Sequence, residues 1–421
     1  MEAILISDYA DARGGAAKVA VMSARGLAER GIPVTFFCAV PPEGASLDHP
    51  LLRVECVGMQ DVWHQSRFDA AINGLANRRS ADAFSALLRR SNPAHTILHF
   101  HQWTKALSPS VLRVAANSPF TALVTAHDYL SVCPTGTFFD HGTRQPCGLK
   151  PLSLACALRR CDARSQAHKA LRLVRQAGLP SLWRRVQDRW GFIHISPAAA
   201  EVTRSFLPER VRHFTISDPI DAVQAQPVSV EANETFLYLG RLLPEKGCVD
   251  LAAAAAGGYA VAFMGEGSEK DAILAANAQA RILPWGDAGA VDLALGNARA
   301  LVLPSLWQET FGMVVPEALA RGIPVIASDR VGARVLIEEG ANGLVYPASD
   351  RAGLRRCLET LSDGARAAAM GRDAYRRYWA KPLSISAHVE ALVQTYGEML
   401  SLAASGARVR PTRSLAVERR L

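Results

Sequence analysis

The amino-acid sequence predicts an α/β protein built from two Rossmann-like, doubly wound domains that face a central cleft. Short β-rich runs alternate with helical patterns along most of the 421 residues, as is typical of parallel sheets with crossover helices. The length suits two domains rather than one. The polar stretch from Ser217 to Asn233 separates two such series of runs. Pro219 in that stretch turns the chain, because proline forces the preceding residue away from the helical conformation.

We therefore divide the chain at this stretch into a first domain, residues 1–217, and a second domain, residues 218–382. Only helical patterns follow the last predicted strand. The final pattern, residues 383–402, is longer than the second domain needs, so we expect this helix to cross back and pack on the first domain. The Arg-rich tail, residues 403–421, is predicted to be disordered.

The positive charge of the chain is concentrated in two places. The formal net charge is +8, and residues 150–190 carry ten Lys or Arg against two acids, whereas the tail carries five Arg against one Glu. Local basicity indicates a particular anionic surface or substrate and argues against nucleic acid as a partner. Because no signal-peptide pattern or long apolar run is visible, we expect a cytoplasmic protein, either soluble or peripheral on the inner face of the membrane.

Glycine and cationic residues follow the first two predicted strands of the second domain. Gly240 and Arg241 end the first strand, Lys246 lies five residues after Arg241, and Gly265 ends the second strand. Glycine allows a tight turn at the carboxyl ends of parallel strands, where open α/β sheets bind ligands. Two cations at this edge suit a diphosphate, although a solvated charge pair near a strand end is the alternative.

A third segment, residues 304–320, runs from a buried strand into a helix that opens near Met313. Unpaired N–H groups at a helix start can bind phosphate oxygens, which favours Gly312 and its neighbours as a phosphate site. Glu309 and Glu317 stand eight residues apart, so one carboxylate could hold sugar hydroxyls and the other ribose hydroxyls. Alternatively, Glu309 caps the helix and Glu317 faces solvent. The apolar neighbours of Glu317 argue against this, since an unpaired charge there would be costly.

These blocks, in this order, resemble the E-x7-E motif and flanking signatures of the retaining GT-B glycosyltransferases of family 4, the glycosyl transferases group 1 type. The resemblance is specific over residues 235–350. It implies the GT-B fold, a nucleoside-diphosphate sugar as donor, transfer with retention of anomeric configuration, and no metal required for catalysis.

The resemblance also implies a role for each matching residue. Arg241 and Lys246 would hold the diphosphate. Glu309 would contact the transferred sugar and assist departure of the leaving group, and Glu317 would hold the ribose. Backbone N–H groups of the residues between the two acids would bind phosphate; these residues are Phe311, Gly312 and Met313.

In the first domain, candidate residues follow three predicted strands. Gly15 belongs to a glycine pair after the first strand, which resembles the loop that reaches the donor phosphate in this family. His127 and Asp128 end a later strand, where His127 would face the cleft and hydrogen-bond the sugar or the acceptor; a structural histidine is the alternative. His101 and Trp103 end the strand before it. We assign His101, Trp103 and Asp128 to acceptor binding, with strand-end packing as the alternative.

Four clustered thiols lie beside a Gly- and Pro-containing loop that we expect to shape the acceptor site. These are Cys133, Cys147, Cys156 and Cys161. Their spacing is not that of a standard zinc module, and three alternatives stay open: a structural zinc, a redox-labile disulfide, or free thiols.

The basic segment 164–190 carries two apolar stripes among its Arg and Lys residues. An amphipathic, basic helix pair of this kind suits an anionic membrane surface. The alternative is an ordinary helix pair whose apolar faces pack on the core.

Together these features predict a retaining glycosyltransferase that moves a sugar from a nucleotide-sugar donor to a saccharide or lipid-linked saccharide acceptor, in envelope or exopolysaccharide biosynthesis. Two alternatives use the same scaffold. One is a non-catalytic nucleotide-sugar-binding subunit, and the other is a GT-B-fold epimerase or hydrolase. The sequence does not identify the base, the sugar or the acceptor.

Overall fold

A computed structural model describes residues 1–405 of the protein, except Arg13 and Ala45. The strands up to residue 217 are β1 (Glu2–Tyr9), β2 (Val34–Val40), β3 (Leu52–Cys56), β4 (Thr96–Phe100), β5 (Thr121–Ala126), β6 (Phe139–Asp140), β7 (Gln145–Pro146), β8 (Trp190–His194) and β9 (Arg212–Thr215). The later strands are β10 (Thr235–Leu239), β11 (Val261–Met264), β12 (Arg281–Leu283), β13 (Ala298–Leu303), β14 (Val325–Ser328) and β15 (Gly343–Tyr346).

Helices cover both faces of each sheet. Those up to residue 217 are α1 (Gly15–Glu29), α2 (Arg67–Leu75), α3 (Arg78–Arg89), α4 (Ser110–Ala116), α5 (Leu154–Leu158), α6 (Gln166–Ala177), α7 (Leu179–Val186) and α8 (Pro197–Arg204). The later helices are α9 (Cys248–Ala255), α10 (Lys270–Ala276), α11 (Ala288–Gly296), α12 (Val314–Ala320), α13 (Arg351–Ser362), α14 (Gly364–Ala380) and α15 (Ile385–Ser405).

The first sheet is parallel, and its described strands follow the order β3-β2-β1-β4-β5-β8-β9. Nearly every residue of β1, β4 and β5 is buried, as expected for strands covered by helices on both faces. The strand order reverses between β1 and β4. A crevice therefore opens at the carboxyl ends of these two strands, the usual ligand site of a doubly wound sheet.

The second sheet repeats this arrangement with the order β12-β11-β10-β13-β14-β15, again all parallel. Its strand order reverses between β10 and β13. A single apolar cluster on both faces of this sheet forms the core of the second domain, whereas the first domain has one cluster on each face. The hairpin of β6 and β7 belongs to neither sheet.

The last helix, α15, lies on the first domain. Gly26 of α1 allows the close approach, because a Cβ atom at this position would lie 2.6 Å from a methyl group of Val389. Tyr396 donates or accepts a 2.6 Å hydrogen bond with His99 of β4. The helix continues to Ser405, so the tail predicted to be disordered from residue 403 is helical over its first three residues. Residues 406–421, the rest of that tail, lie outside the described part of the chain.

The basic segment 164–190 folds as α6 and α7, and the prediction for its second half is wrong. The apolar residues of the second stripe are buried in the core of the first domain: Leu182, Trp183, Val186 and Trp190. They pack inward because α7 covers the sheet beside β8. Only the α6 half has an exposed apolar side chain, Val174. None of the helices in the described residues is long and apolar enough to cross a membrane.

Candidate active site

The carboxyl edges of the two sheets enclose a cavity of about 680 Å³. This volume is within the range of small-ligand sites. Most of the predicted donor residues line it, from both domains: Gly15, Gly240, Arg241, Lys246, Glu309, Gly312 and Met313. The structure therefore brings together residues that are almost 300 positions apart in the sequence.

The centre of this cavity is an ion pair between Lys246 and Glu309. The Lys246 ammonium lies 2.5 Å from Glu309 Oε1, and the Ser305 hydroxyl donates a 2.5 Å hydrogen bond to Glu309 Oε2. Both charged side chains are nearly buried, with 11% and 13% of their surface exposed. Burial raises the pKa of Glu309. The charge and hydrogen bond of Lys246 and the hydrogen bond of Ser305 lower it by more, so the pKa lies below its ordinary value. Glu309 is therefore ionised at neutral pH.

Glycine at the strand ends allows two loops to pack against each other under the cavity. Gly265 has a φ of +157°, and a Cβ atom there would lie 1.8 Å from the carbonyl oxygen of Gly240. Gly240 itself has a φ of +148°. Any larger residue at 265 would displace the loop that carries Arg241. Gly265 thus supports the cavity wall from behind instead of lining the cavity.

The glycine loop of the first domain meets the donor helix across the cleft. A Cβ atom on Gly15 would lie 3.3 Å from the sulfur of Met313, which immediately precedes α12. In α12 itself, the N–H of Val315 donates to the Gly312 carbonyl at 3.0 Å and that of Glu317 to the Met313 carbonyl at 3.4 Å, and Pro316 has no N–H. The phosphate role of the backbone N–H groups of Phe311, Gly312 and Met313 stays a prediction.

Two other predicted donor residues lie at the margin of the cavity. The ring of Phe311 is 2% exposed and belongs to the core of the second domain, so only its backbone could serve a ligand. Glu317 lies on α12, half-buried, and burial raises the pKa of its carboxyl. The Lys18 ammonium from the first domain acts in the opposite direction, which places Glu317 beside the interface of the two domains.

The His127 ring lies on the first-domain side of the cleft, between the side chains of His101 and Asp218. Its Nε2 atom is 3.0 Å from Nδ1 of His101, and its Nδ1 atom is 3.7 Å from the Asp218 carboxylate. Burial lowers the pKa of His101 well below its ordinary value, so His101 is neutral. The backbone carbonyl of His127 accepts a 2.8 Å hydrogen bond from the Thr310 hydroxyl, which ties this strand end to the donor segment.

The remaining acceptor candidates are packed more tightly than the sequence suggests. Trp103 is 4% exposed, packs against Phe100 and lines a small cavity beside His127. The Asp128 carboxylate accepts the backbone N–H of Leu130 at 2.8 Å, and burial raises its pKa. Their role in acceptor binding stays a prediction.

The four clustered cysteines are free thiols. Among the described residues, no set of three or more His, Cys, Asp or Glu side chains is arranged to hold a metal ion. The zinc alternative is therefore not supported for Cys133, Cys147, Cys156 and Cys161. Cys161 is turned instead toward the buried Lys169, whose ammonium lies 2.6 Å from its sulfur.

The β6–β7 hairpin within this cysteine-containing loop reaches across the cleft to the second domain. Arg144 forms a two-point ion pair with Glu269, with its shorter contact at 2.7 Å. His141 lies 3.9 Å from the Glu245 carboxylate. Both acids lie in the second domain and are nearly buried, so the hairpin covers the cleft from the first domain and is held by the second.

Sequence reasoning missed several residues of the site. Asp218 lies in the linker, and nothing local to it indicates contact with His127. Ser305 precedes Glu309 by four residues and could have been found as its hydrogen-bond donor. Tyr238, Glu266 and Trp285 also line the cavity, and Trp285 is 54% exposed, but an aromatic residue after a strand carries no specific signal.

Comparison with known proteins bears on the family and the fold. Residues 220–377 match the family model described as Glycosyl transferases group 1. Sucrose-phosphate synthase from Thermosynechococcus elongatus aligns over 95% of this chain and 100% of its own, with a TM-score of 0.69 and 18% identity. The Anabaena protein HepE, solved with UDP, aligns over 94% of this chain and 100% of its own, with a TM-score of 0.63 and 16% identity.

The lipopolysaccharide outer core galactosyltransferase WaaB aligns over 94% of this chain and 100% of its own, with a TM-score of 0.58 and 17% identity. No curated protein sequence matches the chain significantly. At these identities the solved structures show the fold alone, and they confirm the predicted class of two facing Rossmann-like domains.

Proposed function

We propose a retaining sugar transfer in the cleft, because residues 220–377 match the family model described as Glycosyl transferases group 1 within a chain of GT-B fold. The donor is a nucleoside-diphosphate sugar. The acceptor is a saccharide or a lipid-linked saccharide of envelope or exopolysaccharide biosynthesis. We place the protein in the cytoplasm, on the inner face of the membrane.

The observation that carries this proposal is the Lys246–Glu309 pair beside Arg241 in the cavity. Two cations neutralise the charge that develops on a departing diphosphate, and fixed charges that are partly buried act more strongly than charges in water. Glu309 holds Lys246 in place, and its ionised carboxylate can accept hydrogen bonds from sugar hydroxyls. The backbone N–H groups of Phe311, Gly312 and Met313, just before α12, complete the phosphate site in this proposal.

In the proposed reaction, the bond between the anomeric carbon and the diphosphate oxygen breaks while the acceptor hydroxyl attacks from the same face. The acceptor proton passes to the departing phosphate oxygen, so the products are a glycoside and a nucleoside diphosphate. His127 hydrogen-bonds the transferred sugar or the acceptor through Nε2, in place of its 3.0 Å contact with His101, while its Nδ1 atom stays beside the Asp218 carboxylate. Closing the cleft excludes water and limits hydrolysis of the donor.

Two similar structures bear on the proposed acceptor class. WaaB is described as a galactosyltransferase of the lipopolysaccharide outer core, and another similar structure, TarM, was solved with a glycosylated glycerol and UDP, at 11% identity and a TM-score of 0.62. These descriptions state what WaaB and TarM act on or bind, and they do not identify the acceptor of this chain. For this chain, the covered cleft between His127 and the donor cavity suits an acceptor that enters by its terminal sugar.

The test incubates the full chain with UDP-, GDP- and ADP-sugars, with and without a membrane extract, and measures release of the nucleotide. We expect release with one donor, strengthened by the extract. Glu309→Ala and Lys246→Ala should each abolish it, whereas Lys381→Ala on the surface should not. Absence of release with every donor would refute the transfer. Tight donor binding without release would instead identify a binding subunit.

A further inference from the structure

An exposed apolar face lies on the first domain around α2. None of the described residues of this helix is buried. Phe68 and Ile72 stand one helical turn apart and expose 74% and 48% of their surface, and Trp63 just before the helix exposes 51%. Residues at this spacing share one side of a helix. The helix therefore turns an aromatic and an aliphatic side chain outward in the absence of any core to pack against.

Two exposed cations lie on this face. Helix α2 packs against α6, whose Val174 is 62% exposed. The Arg164 guanidinium lies 3.8 Å from the centre of the Trp63 ring, and Arg67 begins α2 itself. Two acids lie beside them: Asp162 is paired with Arg172 at 3.3 Å and also attracts Arg164, and Asp69 in the first turn of α2 accepts a hydrogen bond from the Ser66 hydroxyl.

Helix α5, which precedes α6 in the chain, also has exposed apolar side chains. Leu154 and Leu158 are one turn apart and expose 76% and 73% of their surface. Lys150 and Arg160, which flank this short helix, are exposed as well. Exposed apolar side chains combined with arginine and lysine are the composition of surfaces that lie in the headgroup region of an anionic bilayer.

Charge decides between a bilayer and a second copy of the chain. Two copies that met through this face would bring two groups of cations together, and like charges oppose such an interface. An anionic lipid surface attracts the same cations while the side chains of Phe68 and Ile72 enter the headgroup boundary. A membrane therefore satisfies both properties of the face.

We propose that the face formed by Trp63, Phe68, Ile72 and Val174, which we call the α2–α6 face, docks the protein on an anionic lipid bilayer. Helix α6 also holds the loop after His127, since Gln176 donates a 2.9 Å hydrogen bond to the Leu130 carbonyl. Docking thus brings the acceptor side of the cleft to the membrane. This last consequence rests on the proposed function, whereas docking itself does not.

The test measures co-sedimentation of the full chain with vesicles in the absence of donor and acceptor. Its failure is therefore distinguishable from failure of the transfer reaction. One vesicle is phosphatidylcholine alone, and the other contains phosphatidylglycerol at about three parts in ten, close to the charge density of an anionic membrane. We expect binding only to the second vesicle, and weaker binding as salt is raised, because salt screens the attraction.

Two variants separate the apolar and the cationic contribution. Phe68→Ser combined with Ile72→Ser should weaken vesicle binding at least about tenfold, from the loss of apolar area alone. Arg164→Glu should weaken it and reduce its salt dependence. Matched controls are Leu293→Ser and Arg372→Glu, which alter an exposed apolar and an exposed cationic residue of the second domain and should bind like the parent.

Substitutions at these exposed positions should leave the thermal unfolding temperature unchanged within a small margin, so a loss of binding would not reflect misfolding. Vesicle binding by the Phe68 and Ile72 variant equal to that of the parent would overturn the proposal, as would a parent that ignores both vesicles. The proposal would also fail if deletion of residues 406–421 alone abolished binding. A parent dimer that the variant loses in sedimentation velocity would assign the face to a second copy instead.

Discussion

Replacement of Lys246 by methionine tests the central ion pair of the site. Methionine keeps the length of the side chain but removes its charge, so the Glu309 carboxylate loses a partner at 2.5 Å while 13% of its side chain is exposed. Removal of one member of a buried pair destabilises a protein by roughly 3–5 kcal/mol, and we take the lower end, about 3 kcal/mol, because Ser305 still donates to the carboxylate. For a domain of this size the unfolding temperature should fall by roughly 6–12 °C.

Loss of a charge aimed at the departing group usually lowers turnover by about 100- to 1,000-fold, and nucleotide release by Lys246→Met should fall by that factor. The double variant Lys246→Met, Glu309→Gln removes both charges. It should regain most of the lost stability without regaining release. Lys381→Met on the surface is the matched control, and calorimetry and a nucleotide-release assay provide the two measurements. Release within a few-fold of the parent, or a double variant as unstable as the single one, would refute this reasoning.

Three further predictions follow from packing and burial. Gly265→Ala should destabilise the second domain by about 1–3 kcal/mol through overpacking, as measured by thermal unfolding. The control is Gly257→Ala, because φ there is +73° but no atom lies within 4 Å of the added Cβ. Equal losses of stability in the two variants would contradict the role of the contact at Gly265. Burial lowers the pKa of His194 from 6.5 to about 3 and that of His213 from 6.5 to about 4. Below pH 6.5 the unfolded chain therefore binds more protons than the folded chain. The free energy of unfolding should fall as the pH drops from 6.5 toward 4. His213→Asn should flatten that fall, and an unchanged pH profile of the unfolding temperature would exclude this origin. Arg144→Gln should expose the β6–β7 hairpin to limited proteolysis, whereas cleavage at the parent rate would show that the ion pair does not hold it.

Local spacing was enough to predict which residues of the second domain meet in the cavity. Gly240, Lys246 and Glu309 each stand at a fixed distance from a strand end, and parallel sheets bring strand ends to one edge. The function of Gly265 could not be found in this way, because its constraint is a contact with the backbone of a neighbouring loop. Asp218 was missed for the same reason, since only the fold brings the linker to His127.

The basic segment shows where periodicity fails. An apolar stripe on a helix indicates that one face is covered, but it does not say what covers it. Trp183 and Val186 are covered by the core, whereas Phe68 and Ile72, which no sequence pattern marks as exposed, lie on the surface. Burial, which depends on tertiary contacts, decides between the two cases.

The β6–β7 hairpin of the first domain links the two sides of the cleft. The Glu269 side chain is 8% exposed and is paired with Arg144 of the hairpin, so separation of the domains must break this pair or pull the hairpin away from its own domain. In the proposed reaction, release of the nucleotide product would require the same separation of the domains. The residence time of the product would then depend on a hairpin none of whose residues lines the cavity.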